Sequence, residues 1–368
     1  MKLKVFVFYC IFIHFVHTQT NGSLNHGGLN RTFVYYVPTS WNQSQQLPLL
    51  IVLHGLTQTG PGVMNITNFN DIAEQNNFIV CYPNGVNNAW NANMNITVST
   101  VDDIGFVETL ATYFQSDFNT DPAKQYLCGF SNGGFMSHKI ACESSQCFAA
   151  IATVAGNMSD TTYANCNPQF NPAVLHIHGT ADAVVPYNGG SGTGVSVDQT
   201  IQKWASFLNC NSNPTTVNLS NTSLTDLSSP ERITYVNCTN SLELIKITGG
   251  GHQWPGINTL FGGAGTINMD FYSPQVIWDF LAGKSCPLSS LEIQEWSSLT
   301  IYPNPSSQLL QINSEVQFDY EIYNLLGQKI QYGQMSKEIS IEKLDKGPYQ
   351  INLLLNKEIK IFKFLKDQ

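Results

Sequence analysis

Charge is what this chain has least of. Asp, Glu, Lys and Arg make up 12% of its 368 residues, about half of the roughly 25% usual in a soluble domain. The surface must therefore be built from Asn, Ser, Thr and Gln. Basic residues are the scarcer sign: 17 Lys and Arg against 26 Asp and Glu give a net charge of −9. Nucleic-acid binding needs a basic stripe against phosphate, and polybasic membrane-surface binding needs clustered Lys and Arg. The composition argues against both. No internal repeat stands out, and no apolar run approaches the roughly 20 residues that a spanning helix requires. Apolar content is not lacking: 42% hydrophobic residues suffice for a large core and argue against a disordered chain. At about 100–200 residues per domain, the length allows two domains.

The longest apolar run, Val5–Val16 interrupted by His14, follows Lys2 and Lys4. A positive start, a short apolar stretch and Val16 and Thr18 at the −3 and −1 positions read as a secretory signal peptide over 1–19, cleaved near Thr18 or Gln19. The mature chain is then expected to be exported, with no membrane span.

Near Pro287–Ser298 the composition changes. Residues 20–287 hold 23 charges in 268 positions; residues 288–368 hold 18 in 81. We place a linker at 288–298 and a second domain at 299–368. Short alternating runs at 309–312, 320–323, 338–341, 349–354 and 359–365 are separated by turn signals such as Pro303-Asn304-Pro305 and Lys346-Gly347-Pro348. That pattern predicts a small β-sandwich of about seven strands. The blocks Ile301-Tyr302-Pro303-Asn304-Pro305, Ile322-Tyr323-Asn324-Leu325-Leu326-Gly327-Gln328 and Leu344-Asp345-Lys346-Gly347-Pro348-Tyr349, followed by the Lys-containing end Phe362–Lys366, resemble the C-terminal sorting domain of the type IX secretion system. The resemblance implies export by that machinery, with the tail as an address that is removed or attached at the cell surface. A carbohydrate-binding or spacer module is the other reading of such a sandwich.

Eight cysteines follow Cys10, and an even number in an oxidising compartment suggests disulfides. Cys210 and Cys238 flank a strand-rich segment and are the expected pair. Cys81 and Cys128 end candidate sheet strands separated by another strand, and are expected to be buried free thiols. Cys142, Cys147, Cys166 and Cys286 are left unassigned.

From Asn30 to Ala282 strands alternate with helices. Strands are expected at 32–37, 47–54, 78–82, 125–130, 147–154, 173–178 and 242–247. Helices are expected at 69–75, 102–118, 133–141, 198–208 and 273–281. Near-continuous apolar strands such as Leu47–His54 are buried on both faces. The alternation predicts an α/β domain over 20–287 with a mostly parallel sheet and helices on both faces.

The segment Gly129-Phe130-Ser131-Asn132-Gly133-Gly134 lies between an apolar strand and a helix, the context of a nucleophile elbow. Glycine at 129 and 133 removes side chains that would meet neighbouring backbone, and the turn presents the Ser131 hydroxyl. A serine hydroxyl needs a base, and the base needs an orienting acid. Beyond Ser131 the chain offers His138, His176, His178 and His252. His138 lies two turns into the elbow helix. His176 and His178 face one side of a strand, but no carboxylate with ligand spacing is near, so no metal site is expected. His252 sits in the glycine-rich loop Gly249–Gly256 after a strand and is the candidate base. Asp182 follows a strand through Gly179-Thr180-Ala181, at the end of the strand where open α/β sheets collect their sites. It is the candidate acid. Asp198 reads instead as a helix N-cap, and Asp102 and Asp103 precede the nucleophile. The order Ser131, Asp182, His252 is that of the α/β-hydrolases. Two donors for an oxyanion are assigned to the backbone N–H groups of Asn132, after the nucleophile, and Leu56, in the loop after Leu47–Leu53. His54 is then a packing residue. Trp90, in the Asn84–Asn95 loop, and Trp254 are candidates to stack on substrate or else pack as ordinary aromatic residues.

Seven blocks in order resemble one family: Leu53-His54-Gly55, Tyr82-Pro83-Asn84-Gly85, Val101–Phe106, Gly129–Gly134, His178–Asp182, Val185-Pro186-Tyr187 and Gly250–Gly256. They resemble the poly(3-hydroxybutyrate) depolymerase-type esterases, a group overlapping the feruloyl and acetylxylan esterases of carbohydrate esterase family 1. The resemblance spans about residues 25–285. It implies Ser131, Asp182 and His252 as the triad, no cofactor, and an ester-bearing polysaccharide or polyester as substrate. It departs at Leu56, where relatives often carry Cys. The expected function is a secreted serine carboxylic ester hydrolase acting on feruloyl or acetyl esters of polysaccharides. A polyhydroxybutyrate depolymerase, a non-catalytic surface binding protein and a serine peptidase are the alternatives.

Overall fold

A computed structural model describes residues 19–94, 99–258, 264–286, 299–313, 318–335, 337–355 and 358–367. The signal-peptide segment through residue 18 and the linker expected at 288–298 lie outside these residues. The chain divides into two compact units, one through Cys286 and one from Pro287.

The first unit opens with the hairpin β1 (Thr20–His26) and β2 (Leu29–Tyr36), followed by β3 (Leu47–Leu53), α1 (Gly60–Thr67), α2 (Phe69–Asn76) and β4 (Ile79–Pro83). Next come α3 (Asp103–Phe118), β5 (Thr120–Phe130), α4 (Asn132–Glu143), β6 (Ala150–Val154), α5 (Asp160–Asn165) and β7 (Ala173–Gly179). It closes with α6 (Val197–Phe207), β8 (Thr215–Asn218), β9 (Ser229–Tyr235), β10 (Leu242–Thr248) and α7 (Ser273–Leu281). The strands form one sheet in the order β1-β2-β4-β3-β5-β6-β7-β10-β9-β8. The run from β4 to β10 is parallel, and both edges are antiparallel. This is the mostly parallel α/β sheet that the alternation predicts.

Because strand side chains alternate, β3 feeds two cores: Leu49, Ile51 and Leu53 pack on one face, Leu50 and Val52 on the other. All five have 0% exposure, which at about 1.5–3 kcal/mol for each buried side chain makes β3 a main contributor to the unit. Helix α3 buries Phe106, Val107, Leu110, Ala111 and Phe114 against the sheet, and Asp102 caps it by accepting from the Gly105 N–H. Asp198 does not cap α6. Ser196 does, in a capping box with Gln199, because Ser at this position reaches the N3 amide while Asp198 already lies in the helix. Strand β1 and helices α1 and α5 were not legible in the sequence, and β8 and β9 were legible only as a strand-rich segment between Cys210 and Cys238. β1 and β8 are polar edge strands with no alternating apolar pattern, and α1 begins Gly-Pro-Gly, which reads as a turn.

Three disulfides close the unit: Cys142–Cys166, Cys147–Cys286 and the expected Cys210–Cys238. Cys81 on β4 and Cys128 on β5 are buried free thiols, separated by β3.

The named strands of the second unit pair antiparallel. One sheet holds β11 (Ile301–Tyr302), β12 (Leu309–Ile312) and β15 (Glu338–Ser340). The other has the order β14 (Lys329–Met335), β13 (Phe318–Tyr323), β16 (Gly347–Leu355), β17 (Glu358–Lys366). Leu310, Ile322, Ile339, Ile351 and Leu353 form its core, as expected of a small β-sandwich. No helix among the described residues is long and apolar enough to cross a membrane.

Candidate active site

Parallel strands end at one edge of the sheet, and the chain leaves β3, β5, β7 and β10 at that edge into the loops bearing Leu56, Ser131, Asp182 and His252. At Ser131 the backbone has φ 51° and ψ −119°, a conformation costly for a residue with a side chain. The surrounding glycines make it attainable. A Cβ on Gly129 would sit 2.1 Å from the Gly133 carbonyl oxygen, and one on Gly133 2.2 Å from the Leu53 carbonyl oxygen. The Ser131 N–H donates to the Val154 carbonyl and its own carbonyl accepts from Phe135, which pins the turn between β6 and α4. The Ser131 side chain is half-buried.

Asp182 and His252 are brought together by the loops after β7 and β10. Thr180 N donates to the Ile247 carbonyl and Ala181 N to the Gly250 carbonyl. Gly179 allows this approach, since a Cβ there would lie 2.2 Å from the Gly250 oxygen. The result is a 2.7 Å hydrogen bond between His252 Nδ1 and Asp182 Oδ2, with both residues buried. The other carboxylate oxygen, Oδ1, accepts from the N–H groups of Val184 at 2.9 Å and Val185 at 2.8 Å. Burial pushes the Asp182 pKa up, but hydrogen bonds from His178 and His252, the His252 charge and the Val185 N–H outweigh it and hold the carboxyl well below its ordinary range. The His252 ring packs 4.9 Å, centroid to centroid, from Phe130, the neighbour of Ser131.

Asn132 opens α4, so its N–H is one of the first-turn donors without an intrahelical acceptor. The loop carrying Leu56 is held from both sides. Gly55 N donates to Gln58 Oε1, and Thr57 N to the Asn88 carbonyl. His54 braces it: Nδ1 donates to the Gly55 carbonyl at 2.7 Å and Nε2 accepts from Gly85 N at 2.9 Å. Burial, only partly offset by the Gly55 carbonyl, lowers the His54 pKa to about 4, so it stays neutral in this two-sided role.

Trp90 and Trp254 have 0% and 3% exposure. Trp90 offers no open ring face for stacking. Its Nε1 donates to the His54 carbonyl at 2.9 Å, so it sits in the wall behind the Leu56 loop. Trp254 stacks on Phe130 at 5.6 Å. His176 and His178 do share one side of β7, stacked at 5.3 Å, but a carboxylate is near after all: His178 Nε2 lies 3.4 Å from Asp182 Oδ2. Sequence reasoning missed that contact. Its signal was the four-residue step from His178 to Asp182 around a glycine turn. A further buried pair, Arg31–Asp103 at 2.6 Å, was also missed. Asp103 accepts the Asn91 N–H and so anchors the loop that carries Trp90. No group of His, Cys, Asp and Glu able to hold a metal occurs among the described residues.

A sharp serine turn and a buried Asp–His pair thus lie at one edge of the α/β sheet. Residues 25–255 match the family described as "Putative esterase", and the chain belongs to that family. Residues 300–367 match the secretion system C-terminal sorting domain. The chain is 30% identical to feruloyl esterase C of Emericella nidulans over 47% of its own length and 62% of that protein. It is 28% identical to "Probable feruloyl esterase C" of Aspergillus clavatus over 47% of its length and 61% of that protein. It thus spans about three fifths of these curated relatives. The structure of the acetyl xylan esterase from Aspergillus awamori superposes with a TM-score of 0.51 at 18% identity, covering 71% of this chain and 98% of the other. That likeness is one of fold.

Proposed function

We propose that the chain is a secreted serine carboxylic ester hydrolase that removes feruloyl or acetyl groups from polysaccharides. The observation that carries this reading is the 2.7 Å bond between His252 and Asp182 beside the strained turn at Ser131. In this mechanism Ser131 Oγ attacks the ester carbonyl carbon while His252 Nε2 takes its proton. Asp182 keeps His252 in the Nδ1–H tautomer and stabilises the imidazolium. The N–H groups of Leu56 and Asn132 receive the oxyanion. Collapse of the intermediate expels the alcohol with the proton from His252. Water, deprotonated by His252, then releases the acid from Ser131. The reaction as written needs no cofactor.

The names of the feruloyl and acetyl xylan esterase relatives support an ester-bearing polysaccharide as substrate. The sorting-domain match supports export through the type IX machinery, with residues 1–19 as signal peptide, 288–298 as linker and 299–368 as the secretion address. The test compares the chain with its Ser131→Ala variant on methyl ferulate, acetylated xylan and a polyhydroxybutyrate suspension. Ser131-dependent release of ferulate or acetate with an untouched polymer is expected. Hydroxybutyrate release alone would make the protein a polyester depolymerase, and turnover surviving in Ser131→Ala would overturn the serine mechanism.

A further inference from the structure

A line of buried side chains runs from α6 to the carboxylate of Asp182. Trp204 Nε1 lies 3.1 Å from His138 Nδ1. His138 Nε2 lies 3.3 Å from Thr153 Oγ1, which lies 2.7 Å from His176 Nδ1. His176 Nε2 lies 3.1 Å from His178 Nδ1. His178 Nε2 ends the line, 2.8 Å from the Val185 carbonyl oxygen and 3.4 Å from Asp182 Oδ2. Each of the five side chains is at most 1% exposed.

The direction of every proton in this line is determined from both ends. An indole N–H can only donate, so His138 Nδ1 accepts and the His138 proton sits on Nε2. The His138 ring also hydrogen-bonds the Gly156 carbonyl; its Nε2 faces Thr153 Oγ1, whose hydroxyl is then turned to donate to His176 Nδ1. His176 consequently carries its proton on Nε2 and gives it to His178 Nδ1. At the far end a carbonyl and a carboxylate can only accept, so His178 must carry its proton on Nε2. The two ends impose the same polarity. Burial lowers the His138 pKa to about 3 and holds His176 well below its usual range, so each of these rings brings one proton.

We propose that His178 is a positioning residue for Asp182, and that His176, Thr153, His138 and Trp204 hold it in the one tautomer whose Nε2–H is given to the Val185 carbonyl of the Asp182 loop and faces the carboxylate. The proposal rests on the reading of Ser131, Asp182 and His252 as the triad. Asp182 Oδ2 receives His252 Nδ1, while the backbone of 184–185 holds Oδ1. His178 fastens that same loop through the Val185 carbonyl and lies 3.4 Å from Oδ2. In the opposite tautomer a lone pair would face both acceptors, and the loop bearing the carboxylate would be pushed from His252. Between them His178 and His252 are the titratable groups that touch the carboxylate.

The test uses the full chain and the hydrolysis of p-nitrophenyl acetate. His178→Phe keeps the ring and removes the donor; His178→Gln places an amide N–H where Nε2 stood. We expect His178→Phe to lower kcat about ten-fold, the order of one buried hydrogen bond, with KM changed less than about two-fold. His178→Gln should restore most of the rate. Equal loss in both variants would reduce His178 to packing and overturn the proposal. So would wild-type kcat in His178→Phe. Turnover persisting in Ser131→Ala would instead overturn the triad reading and this proposal with it. Should His178→Phe fail to fold, ¹⁵N-histidine spectra of the unaltered chain decide: His176 and His178 are expected as Nε2–H tautomers, and a proton on Nδ1 of His178 would overturn the proposal.

Discussion

Asn132 and Trp90 grip each other through two hydrogen bonds: Asn132 Oδ1 accepts the Trp90 N–H at 2.7 Å, and Asn132 Nδ2 donates to the Trp90 carbonyl at 3.2 Å. The residue after the serine turn thereby clamps the Asn-rich loop that follows β4. Because Trp90 also holds the His54 carbonyl, one linkage joins both candidate oxyanion donors. Replacing Asn132 by Leu strands the buried Trp90 N–H, while the Trp90 carbonyl keeps the Ala92 N–H. One stranded buried donor costs about 1–3 kcal/mol, so we expect a stability loss of that order with a fall in kcat. Urea unfolding and steady-state kinetics check it.

Trp90→Phe separates packing from substrate stacking. The ring is fully buried, so the variant should lower stability by about 1–3 kcal/mol through the unpaired His54 carbonyl. KM for methyl ferulate should stay within about two-fold. A large rise in KM with unchanged stability would return Trp90 to the substrate surface.

Asp182→Asn tests the acid. The side chain keeps its shape, but an amide must satisfy two backbone N–H groups at one atom and His252 at the other. Its carbonyl oxygen can serve only one side, and the imidazole is left in the wrong tautomer. A loss of about 10³–10⁴-fold in kcat is expected, measured with KM on p-nitrophenyl acetate. A change below about ten-fold would remove Asp182 from the triad.

Acid should unfold the protein early. His54, His138 and His176 are buried with pKa values lowered from 6.5, to about 4 for His54 and about 3 for His138. Above pH 6.5 both folded and unfolded states hold them neutral, and the full stability is present. As pH falls below 6.5 the unfolded chain takes up protons that the fold refuses. Stability then drops by about 1.4 kcal/mol per pH unit for each histidine until the folded values are reached. Asp182, lowered below 3.8, adds a further loss as pH drops past that value. Melting temperatures between pH 8 and 4 should be flat at first and fall below about pH 6.5; a flat profile throughout would contradict the neutral buried histidines.

The disulfides should differ in weight. Cys147–Cys286 closes 139 residues and Cys142–Cys166 closes 24. The loop-entropy relation gives about 5 kcal/mol for the first and about 3 for the second. Cys147→Ser with Cys286→Ser should therefore lower the denaturant midpoint more than Cys142→Ser with Cys166→Ser. Chemical unfolding of the two double variants measures the order.

The sequence by itself determined whatever depends on neighbours along the chain. Near-continuous apolar runs marked β3 to β7, the 3.6-residue face marked α3, and a glycine-flanked serine between strand and helix marked the turn at Ser131. Chain order also pointed to Asp182 and His252, residues 70 positions apart that share a hydrogen bond. Only the tertiary structure decided the contacts that strand order creates. It paired Cys142 with Cys166 and Cys147 with Cys286, and it buried Trp90, a candidate for substrate stacking, with its Nε1 on the His54 carbonyl. It also aligned Trp204, His138, Thr153, His176 and His178 behind the carboxylate, although they come from α6, α4, β6 and β7. No local pattern encodes such a line, because each member looks like an ordinary core residue until the order of the parallel strands sets their polar atoms within bonding distance.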